Sequence, residues 1–205
     1  MKSFYFMFLI AVCSFITACE SNKSKIRKTM EQMQSAQIVI PYDKLDCWTS
    51  DSIKEISPWK NAKLKLVHYI DSAQCSSCYL VKKQALEPLI KLEEKSNNQF
   101  CNLFIVQPGV NSRNWKVLTE NYKHKATPTT LFIDSINVFM NENPNIPQES
   151  MYHTFLLDEN NKVILIGNPI LNKQIEEMLL PIVEEKLGKV ISTVNNQQTE
   201  EAENP

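Results

Sequence analysis

The chain has 205 residues, of which 43% are hydrophobic, and it carries 22 basic and 23 acidic side chains. This composition supports one ordinary folded core and excludes a disordered charged tail as the whole protein. The near-neutral balance predicts no basic surface of the kind that nucleic acid or anionic lipid requires. Three glycines, Gly109, Gly167 and Gly188, are too few for a glycine-rich phosphate loop or a collagen-like repeat.

The amino-terminal segment is typical of an export signal. Lys2 precedes an apolar run over residues 4–16, which is too short to span a bilayer comfortably as a helix. The run ends in Ile16-Thr17-Ala18-Cys19, which resembles the lipobox of bacterial lipoproteins. This resemblance implies that residues 1–18 are a signal peptide and that the Cys19 thiol carries lipid. A plain secretory signal and an uncleaved anchor are the alternatives.

The expected location is therefore the cell envelope, where lipid holds the folded part at a membrane surface facing the periplasm. A single acidic residue after the cysteine, Glu20, does not separate this from exposure at the cell surface. Cysteine pairs outside the cytoplasm can be oxidised. Residues 19–36 form the expected lipid-anchored tether, which either stays solvated or coils into a short helix.

The folded domain is expected over residues 37–190, before a disordered tail over residues 191–205 that lacks apolar periodicity. Residues 37–59 are predicted as an amino-terminal extension. A β-branched run there ends at Pro41 and a second run covers residues 45–48, which together suggest a hairpin or an edge strand. A loop is expected at residues 58–61.

Two buried strands flank a cysteine motif. Alternation and then a continuous apolar run predict a central strand over residues 63–71, and residues 100–106 form the second strand. Between them, a helix with Pro88 inside it runs to about Glu94 after the motif Cys75-Ser76-Ser77-Cys78. A further helix at residues 114–123 gives the order strand, helix, strand, helix.

The carboxyl-terminal third predicts a strand, a hairpin and a helix. The strand covers residues 129–134, and the hairpin joins residues 154–158 to residues 162–167 through a turn in which Asn161 best accepts a positive φ. The closing helix runs over residues 172–187 and is expected to bend at Pro181. The residues that it presents to the core are Ile175, Met178, Leu179, Ile182 and Val183.

The motif indicates thiol chemistry. The positive end of a helix dipole stabilises a thiolate at the helix start, which lowers the cysteine pKa from about 8.5. Cys75 is then the attacking thiol, and Cys78, one turn further in, resolves the mixed disulfide. Half a zinc site and two structural thiols are the alternatives. No second CxxC or spaced histidine pair lies near the motif, so no metal is predicted.

Over roughly residues 60–187 the chain resembles the thioredoxin-like superfamily. Within it, the chain is similar to membrane-anchored thiol-disulfide oxidoreductases of the bacterial envelope and to thioredoxin-like lipoproteins. The resemblance rests on the strand, motif and helix in order, on the hairpin sequence over residues 154–163, and on the closing helix. It implies an α/β domain with a central mixed sheet, flanking helices and an amino-terminal strand extension, and no cofactor.

The chain departs from the family pattern around the expected active site. Gln74 stands where thioredoxins have tryptophan, and Ser76 and Ser77 stand where they have Gly-Pro, which leaves the reduction potential open. The family places a cis-proline just before the hairpin. Tyr152 has that position here, so a trans peptide and an altered docking edge are expected. The rival candidate for this proline is Thr127-Pro128.

Two histidines and two further cysteines have more than one interpretation. His153 next to Tyr152 is a neighbour of the active site, and is either a proton shuttle or a hydrogen-bonded residue at a strand start. His68 lies roughly where the resemblance implies a buried carboxylate, with a core histidine as the alternative. Cys47 and Cys101 form a structural disulfide, or Cys101 is a buried thiol.

The sequence thus predicts thiol-disulfide exchange with envelope proteins and with a redox partner protein, in a direction that stays open. Nucleic acid is not an expected partner. A non-catalytic binding or scaffold lipoprotein that uses the sheet edge is the alternative from another class. A peroxide-reducing variant of the fold ranks third, because residues 72–75 only approximate the Thr-x-x-Cys of such peroxidases.

Overall fold

A computed structural model describes residues 23–48, 56–72, 83–108, 116 and 130–188, which form a mixed sheet with helices on both faces. The strands are β1 (Asp46–Trp48), β2 (Leu64–Ile70), β3 (Phe100–Val106), β4 (Leu131–Ile133), β5 (Thr154–Leu157) and β6 (Val163–Ile166). The helices are α1 (residues 23–35), α2 (Ser57–Asn61), α3 (Lys83–Lys95), α4 (Val138–Glu142) and α5 (Lys173–Leu187), and a 3-10 turn covers Ser150–Tyr152.

The sheet has the spatial order β1-β4-β3-β2-β5-β6. Strands β2, β3 and β4 are parallel, whereas β5 is antiparallel to β2 and β6 is antiparallel to β5. The β5-β6 hairpin is followed directly by α5, as the sequence predicts. The expected α/β class, with a central mixed sheet and flanking helices, is therefore confirmed.

Apolar layers cover both faces of the sheet. On one face, α3 and α5 pack against alternate residues of the central strands, including Leu64, Leu66 and Phe100. On the other face, helices α1, α2 and α4 build a second core with Met33, Trp59 and Phe139. Strands β2 and β3 are buried along their whole length, which explains why they are nearly continuous apolar runs in the sequence.

The amino-terminal segment is more than a tether. Residues 23–35 form α1, and Met33 near its end is fully buried, with Met30 packed beside the same core. Of the two expected alternatives the helix is present, so the folded unit begins before residue 37. No helix of the described ranges is long and apolar enough to cross a membrane. The signal segment with Cys19, and residues 189–205, lie outside those ranges.

The predicted extension over residues 37–59 contributes one edge strand. Strand β1 pairs antiparallel with β4, whereas the run that ends at Pro41 makes a single bridge, from Gln37 to Lys162. Helix α2 replaces the loop expected after residue 57. Pro58 suits the first turn of a helix, where its missing amide hydrogen costs nothing. The Trp59 indole then donates a hydrogen bond to the Asn102 carbonyl at 3.0 Å.

The closing helix has a narrower buried face than the sequence predicts. In α5 only Leu179 and Val183 are buried, and Met178, expected in the core, is 54% exposed. Residues i and i+4 share one face, and a residue one position away points about 100° to the side. The start of α5 is fixed by Asn172, whose side chain accepts a hydrogen bond from the Gln174 amide at 2.9 Å.

Gly167 marks the point where the chain leaves β6 toward α5. Its φ is +131°, and a Cβ there would lie 2.8 Å from Ile175 Cδ1. We expect Gly167→Ala to lower the free energy of unfolding by about 2 kcal/mol or more, because alanine strains the backbone and meets Ile175. Gly188→Ala is the control, since φ is +79° but no atom lies within 4 Å. Urea unfolding measures both, and equal losses would contradict the Ile175 contact.

Candidate functional site

The candidate site lies at the carboxyl end of β2. This strand ends at Ile70, Asp71 follows it, and the chain is described again from the first residue of α3, Lys83. The motif residues between them lie outside the described residues, as do Thr127-Pro128. These motif residues are Gln74, Cys75, Ser76, Ser77 and Cys78. The structure describes the residues around the end of β2, after which the motif begins in the sequence.

The turn before β5 reaches the same end of the sheet. Thr154 lies opposite His68, so the residues before it continue along β2 toward its carboxyl end. The Tyr69 amide donates a hydrogen bond to the His153 carbonyl at 2.9 Å. Tyr152 is buried, and every peptide bond of the described ranges is trans, its own included. Tyr152 and His153 therefore lie at the sheet end from which the motif segment starts.

His153 is held by two oxygen atoms. Its Nε2 lies 3.0 Å from the Pro147 carbonyl oxygen, and its Nδ1 lies 3.2 Å from Asp71 Oδ2 without the alignment of a hydrogen bond. A carbonyl oxygen only accepts, so Nε2 is the nitrogen that carries a proton at all times. Nδ1 faces the Asp71 carboxylate.

In the His153–Asp71 pair, the histidine is buried and the carboxylate is partly accessible to solvent. The His153 side chain is 3% exposed and its ring meets the Tyr69 ring edge-on at 5.1 Å, whereas the Asp71 side chain is 20% exposed. The hydrogen-bonded alternative for His153 is what this geometry supports directly. No role for Asp71 is predicted from the sequence, although a carboxylate directly after a buried strand is the signal that could have indicated one.

The Tyr69 hydroxyl ties the neighbouring strand end to the same region. It lies 3.2 Å from Gln107 Oε1 and 3.0 Å from Asn137 Oδ1. Burial raises the pKa of Tyr69, and the carboxylates of Asp134 and Asp71 raise it further, so the hydroxyl stays protonated as a donor. The ends of β2 and β3 and the start of α4 are thus fixed relative to one another.

His68 is a core histidine beneath the helix that follows the motif. It is 1% exposed, and its ring stacks on Phe104 at 4.4 Å. Burial lowers the pKa of His68 to about 3, even though the Asn102 contact raises it. His68 is therefore neutral near pH 7. It does not substitute for the buried carboxylate that the resemblance implies at this place.

Asn102 links strand β3 to helix α3. Its Nδ2 donates hydrogen bonds to the Leu89 carbonyl at 3.0 Å and to Glu93 Oε2 at 2.9 Å, and its backbone amide donates to the same carboxylate at 3.1 Å. A polar layer of this kind stabilises one orientation of the helix on the sheet, because an alternative orientation would leave buried polar atoms unsatisfied. Helix α3 is thereby fixed against β3.

Cys47 and Cys101 form no disulfide with each other. Cys47 pairs with Phe132, and Phe132 pairs with Ile105, four residues along β3 from Cys101. Two strand spacings and four residues separate the cysteine Cα atoms by on the order of 15 Å. A disulfide needs Cα atoms within roughly 7 Å. The structural disulfide that the sequence allowed between Cys47 and Cys101 is therefore wrong, and the two cysteines are separate thiols.

Cys101 has the properties of an inert core thiol. It is fully buried, and its Sγ donates a hydrogen bond to the Asn98 carbonyl at 3.2 Å. Burial raises the pKa of Cys101 to about 12, the Glu93 carboxylate raises it as well, and Lys65 on the paired strand position lowers it. Almost no thiolate forms near pH 7. In the described part of the chain, no group of three His, Cys, Asp or Glu side chains could hold a metal.

Comparison with solved structures finds thioredoxin-like proteins. A candidate protein disulfide isomerase from Bacteroides thetaiotaomicron is 17% identical, with a TM-score of 0.43, over 64% of this chain and 77% of that one. A thioredoxin-like protein from Porphyromonas gingivalis is 14% identical, with a TM-score of 0.42, over 70% and 88%. The thioredoxin domain of a thiol-disulfide oxidoreductase from Bacteroides vulgatus is 15% identical, with a TM-score of 0.38, over 70% and 97%. No protein-family model and no curated protein matches the chain.

Proposed function

We propose that the chain is a thiol-disulfide oxidoreductase of the cell envelope, in which Cys75 attacks and Cys78 resolves. The observation that carries this proposal is topological. In the sequence, the CxxC residues come between the end of strand β2 and the start of α3, and the end of β2 lies beside the turn with Tyr152 and His153. A cysteine pair between a buried strand and a helix fits reversible exchange better than a metal site or a core contact.

The proposed reaction proceeds in two exchange steps. The Cys75 thiolate attacks one sulfur of a substrate disulfide, forms a mixed disulfide and expels the other substrate sulfur as a thiolate. The Cys78 thiolate then attacks the Cys75 sulfur and expels the second substrate thiolate. Two electrons pass from the motif to the substrate, and the protons lost by Cys75 and Cys78 end on the substrate thiols. The reverse sequence oxidises a substrate dithiol.

The His153–Asp71 pair supports the proposal as a proton-handling group beside the motif. Asp71 precedes Cys75 by four residues, a reach of at most about 14 Å for an extended chain. A neutral imidazole Nδ1 can accept the proton that a thiol loses, and the Asp71 carboxylate stabilises the resulting charge. His68 is a much weaker proton acceptor, because burial disfavours its charged form and lowers its pKa to about 3.

Exposed apolar side chains at the same end of the sheet favour protein substrates over small thiols. Ile136 is 71% exposed, Met151 is 62% exposed and Leu171 is 68% exposed. Ile136 follows β4, Met151 precedes β5 and Leu171 follows β6. All three positions lie at the end of the sheet where β2 has its carboxyl end. An unfolded polypeptide that carries a disulfide would bury part of this surface on binding.

Alkylation rates test the proposed site. In the reduced protein at pH 7, we expect Cys75 to react with iodoacetamide at least tenfold faster than Cys78, because the helix start stabilises its thiolate. Cys101 should be the slowest, because it is buried and its pKa is raised to about 12, and its protection reports that the fold is intact. Mass mapping of the peptides gives each rate. Equal and slow reaction of Cys75 and Cys78 would favour the scaffold lipoprotein instead.

The envelope location is proposed on the signal segment and on lipid at Cys19. Acyl chains contribute roughly 0.8 kcal/mol per buried methylene, so more than one chain holds a soluble domain at a membrane. We expect Cys19→Ala to move most of the protein from the membrane fraction to the soluble periplasmic fraction, with Cys13→Ala as the control that stays bound. Retention of the Cys19→Ala variant would indicate an uncleaved anchor.

A further inference from the structure

The first half of α1 extends beyond the folded core. All side chains of residues 23–28 are exposed, whereas Met30 and Met33 further along hold the second half of the helix against the sheet. We call residues 23–28 the overhang. Since the rest of the helix is packed, the overhang has a defined direction relative to the domain.

The overhang concentrates positive charge. Four of its six residues are basic, namely Lys23, Lys25, Arg27 and Lys28. Arg27 pairs with Glu31 one turn further along, at 2.9 Å between two exposed side chains, an arrangement that contributes little in water. The near-neutral charge of the whole chain conceals this local excess, so composition alone does not exclude a surface for anionic lipid.

An apolar side chain accompanies these charges. Ile26 precedes Met30 by four residues and Met33 by seven, so it continues their stripe along one face of α1 past the edge of the core. Ile26 is 40% exposed, which makes it one of the few large apolar side chains on the described surface. Ile26 therefore adds apolar surface beside the basic side chains, on the side of α1 that faces the sheet.

Helix α5, on the opposite face of the sheet, carries the opposite net charge. Helix α5 contains four glutamates and two lysines, and it packs on the face of the sheet remote from α1. An anionic surface therefore attracts the overhang and repels α5. This separation gives the domain a preferred orientation, which a uniformly neutral surface would not.

We propose that the overhang docks onto an anionic lipid bilayer, with its basic side chains among the headgroups and α5 directed away from the membrane. This interaction is independent of the thiol chemistry and of acylation. It suits the proposed anchor, because three residues separate Cys19 from Lys23, a span of at most about 15 Å. The lipid would hold the protein at the membrane, and the overhang would set its orientation.

Vesicle binding tests the proposal without the lipid anchor. The chain from residue 19 onward with Cys19→Ser, which contains every described residue, is sedimented with phosphatidylcholine vesicles with or without 30% phosphatidylglycerol. We expect binding to the anionic vesicles alone, weakened at least tenfold between 20 and 300 mM NaCl. At 20 mM NaCl, the variant with both Lys25→Glu and Lys28→Glu should bind the anionic vesicles at least tenfold more weakly than the parent, because each basic residue near an anionic surface contributes about 1 kcal/mol.

The matched control changes the same number of charges on the other face. Lys173→Glu combined with Lys186→Glu, both exposed on α5, should leave the affinity within twofold of the parent. Circular dichroism at matched concentration verifies that all three proteins are folded. The proposal is overturned by equal loss in the two double variants, by binding that ignores salt or lipid charge, by no binding, or by tighter binding to duplex DNA.

Discussion

Cys75→Ser is expected to reduce the disulfide reductase activity of the protein at least a hundredfold. The serine hydroxyl does not ionise near neutral pH and forms no mixed disulfide, so the first exchange step is lost. The assay is the reduction of insulin by dithiothreitol, followed as the turbidity of the released chains. Activity of Cys75→Ser equal to that of the parent protein would contradict the assignment of the attacking thiol.

Cys78→Ser should give a different result, because attack proceeds but resolution does not. We expect this variant to accumulate covalent complexes with substrate proteins, visible as bands on non-reducing gels that vanish on reduction. Cys47→Ser is the control, since Cys47 lies on edge strand β1, at the far side of the sheet from the hairpin. It should keep full activity, and a comparable loss in Cys47→Ser would mean that the assay reports another thiol or a damaged fold.

Acidification should destabilise the protein through His68 in particular. In the unfolded chain a histidine has a pKa of about 6.5, whereas burial lowers the pKa of His68 to about 3. Between these two pH values, His68 is protonated in the unfolded state and neutral in the folded state. The stability contribution is complete above pH 6.5 and is lost as the pH falls toward 3, by about 1.4 kcal/mol per pH unit.

The measurement compares the parent protein with His68→Gln, which retains a hydrogen-bonding side chain but does not titrate. Urea unfolding at pH 7.5 and at pH 4.5 gives the free energy of unfolding of each. We expect the parent to lose about 2 to 3 kcal/mol more than the variant over this interval. Carboxylates that titrate in the same range act on both proteins, so they cancel in the difference. Parallel losses would contradict a neutral, buried His68.

The parts of the fold that the sequence predicts well are those where burial determines the pattern. Strand β3 occupies the residues expected for it, and β2 differs by one residue at each end. Both strands are covered on two faces, so their apolar runs are long. Asn161 has the positive φ expected of the hairpin turn, at 57°. These features depend on local chemistry and on burial, which a sequence records directly.

The elements that the sequence misses are short or depend on distant contacts. Helix α4 begins after Asp134, whose carboxylate accepts hydrogen bonds from the amides of Val138 and Phe139 at 2.8 and 2.9 Å. That cap lies inside a segment predicted only as the end of a strand. Helix α1 is predicted only as an alternative to a solvated tether, because two methionines among charged residues do not reveal that Met33 is fully buried.

Part of the candidate site could likewise be predicted from the sequence, and part could not. The CxxC motif and the turn at Tyr152 and His153 follow from spacing and from the resemblance. The partners of His153 do not, since Asp71 and Pro147 come from different segments that meet only when β5 pairs with β2. A histidine in a sequence carries no sign of which oxygen atoms its ring will face.

The most direct test of the account is the reduction potential of the Cys75–Cys78 pair. The mature chain with Cys19→Ser is equilibrated in defined thiol-disulfide buffers, quenched with an alkylating reagent and mapped by mass. We expect reversible pairing of Cys75 with Cys78, at a potential within the range of about −270 to −120 mV that known oxidoreductases span, and the value gives the direction of exchange. A disulfide that stays oxidised far below this range, or cysteines that never pair, would contradict the proposed oxidoreductase activity. Either result would favour the non-catalytic binding lipoprotein.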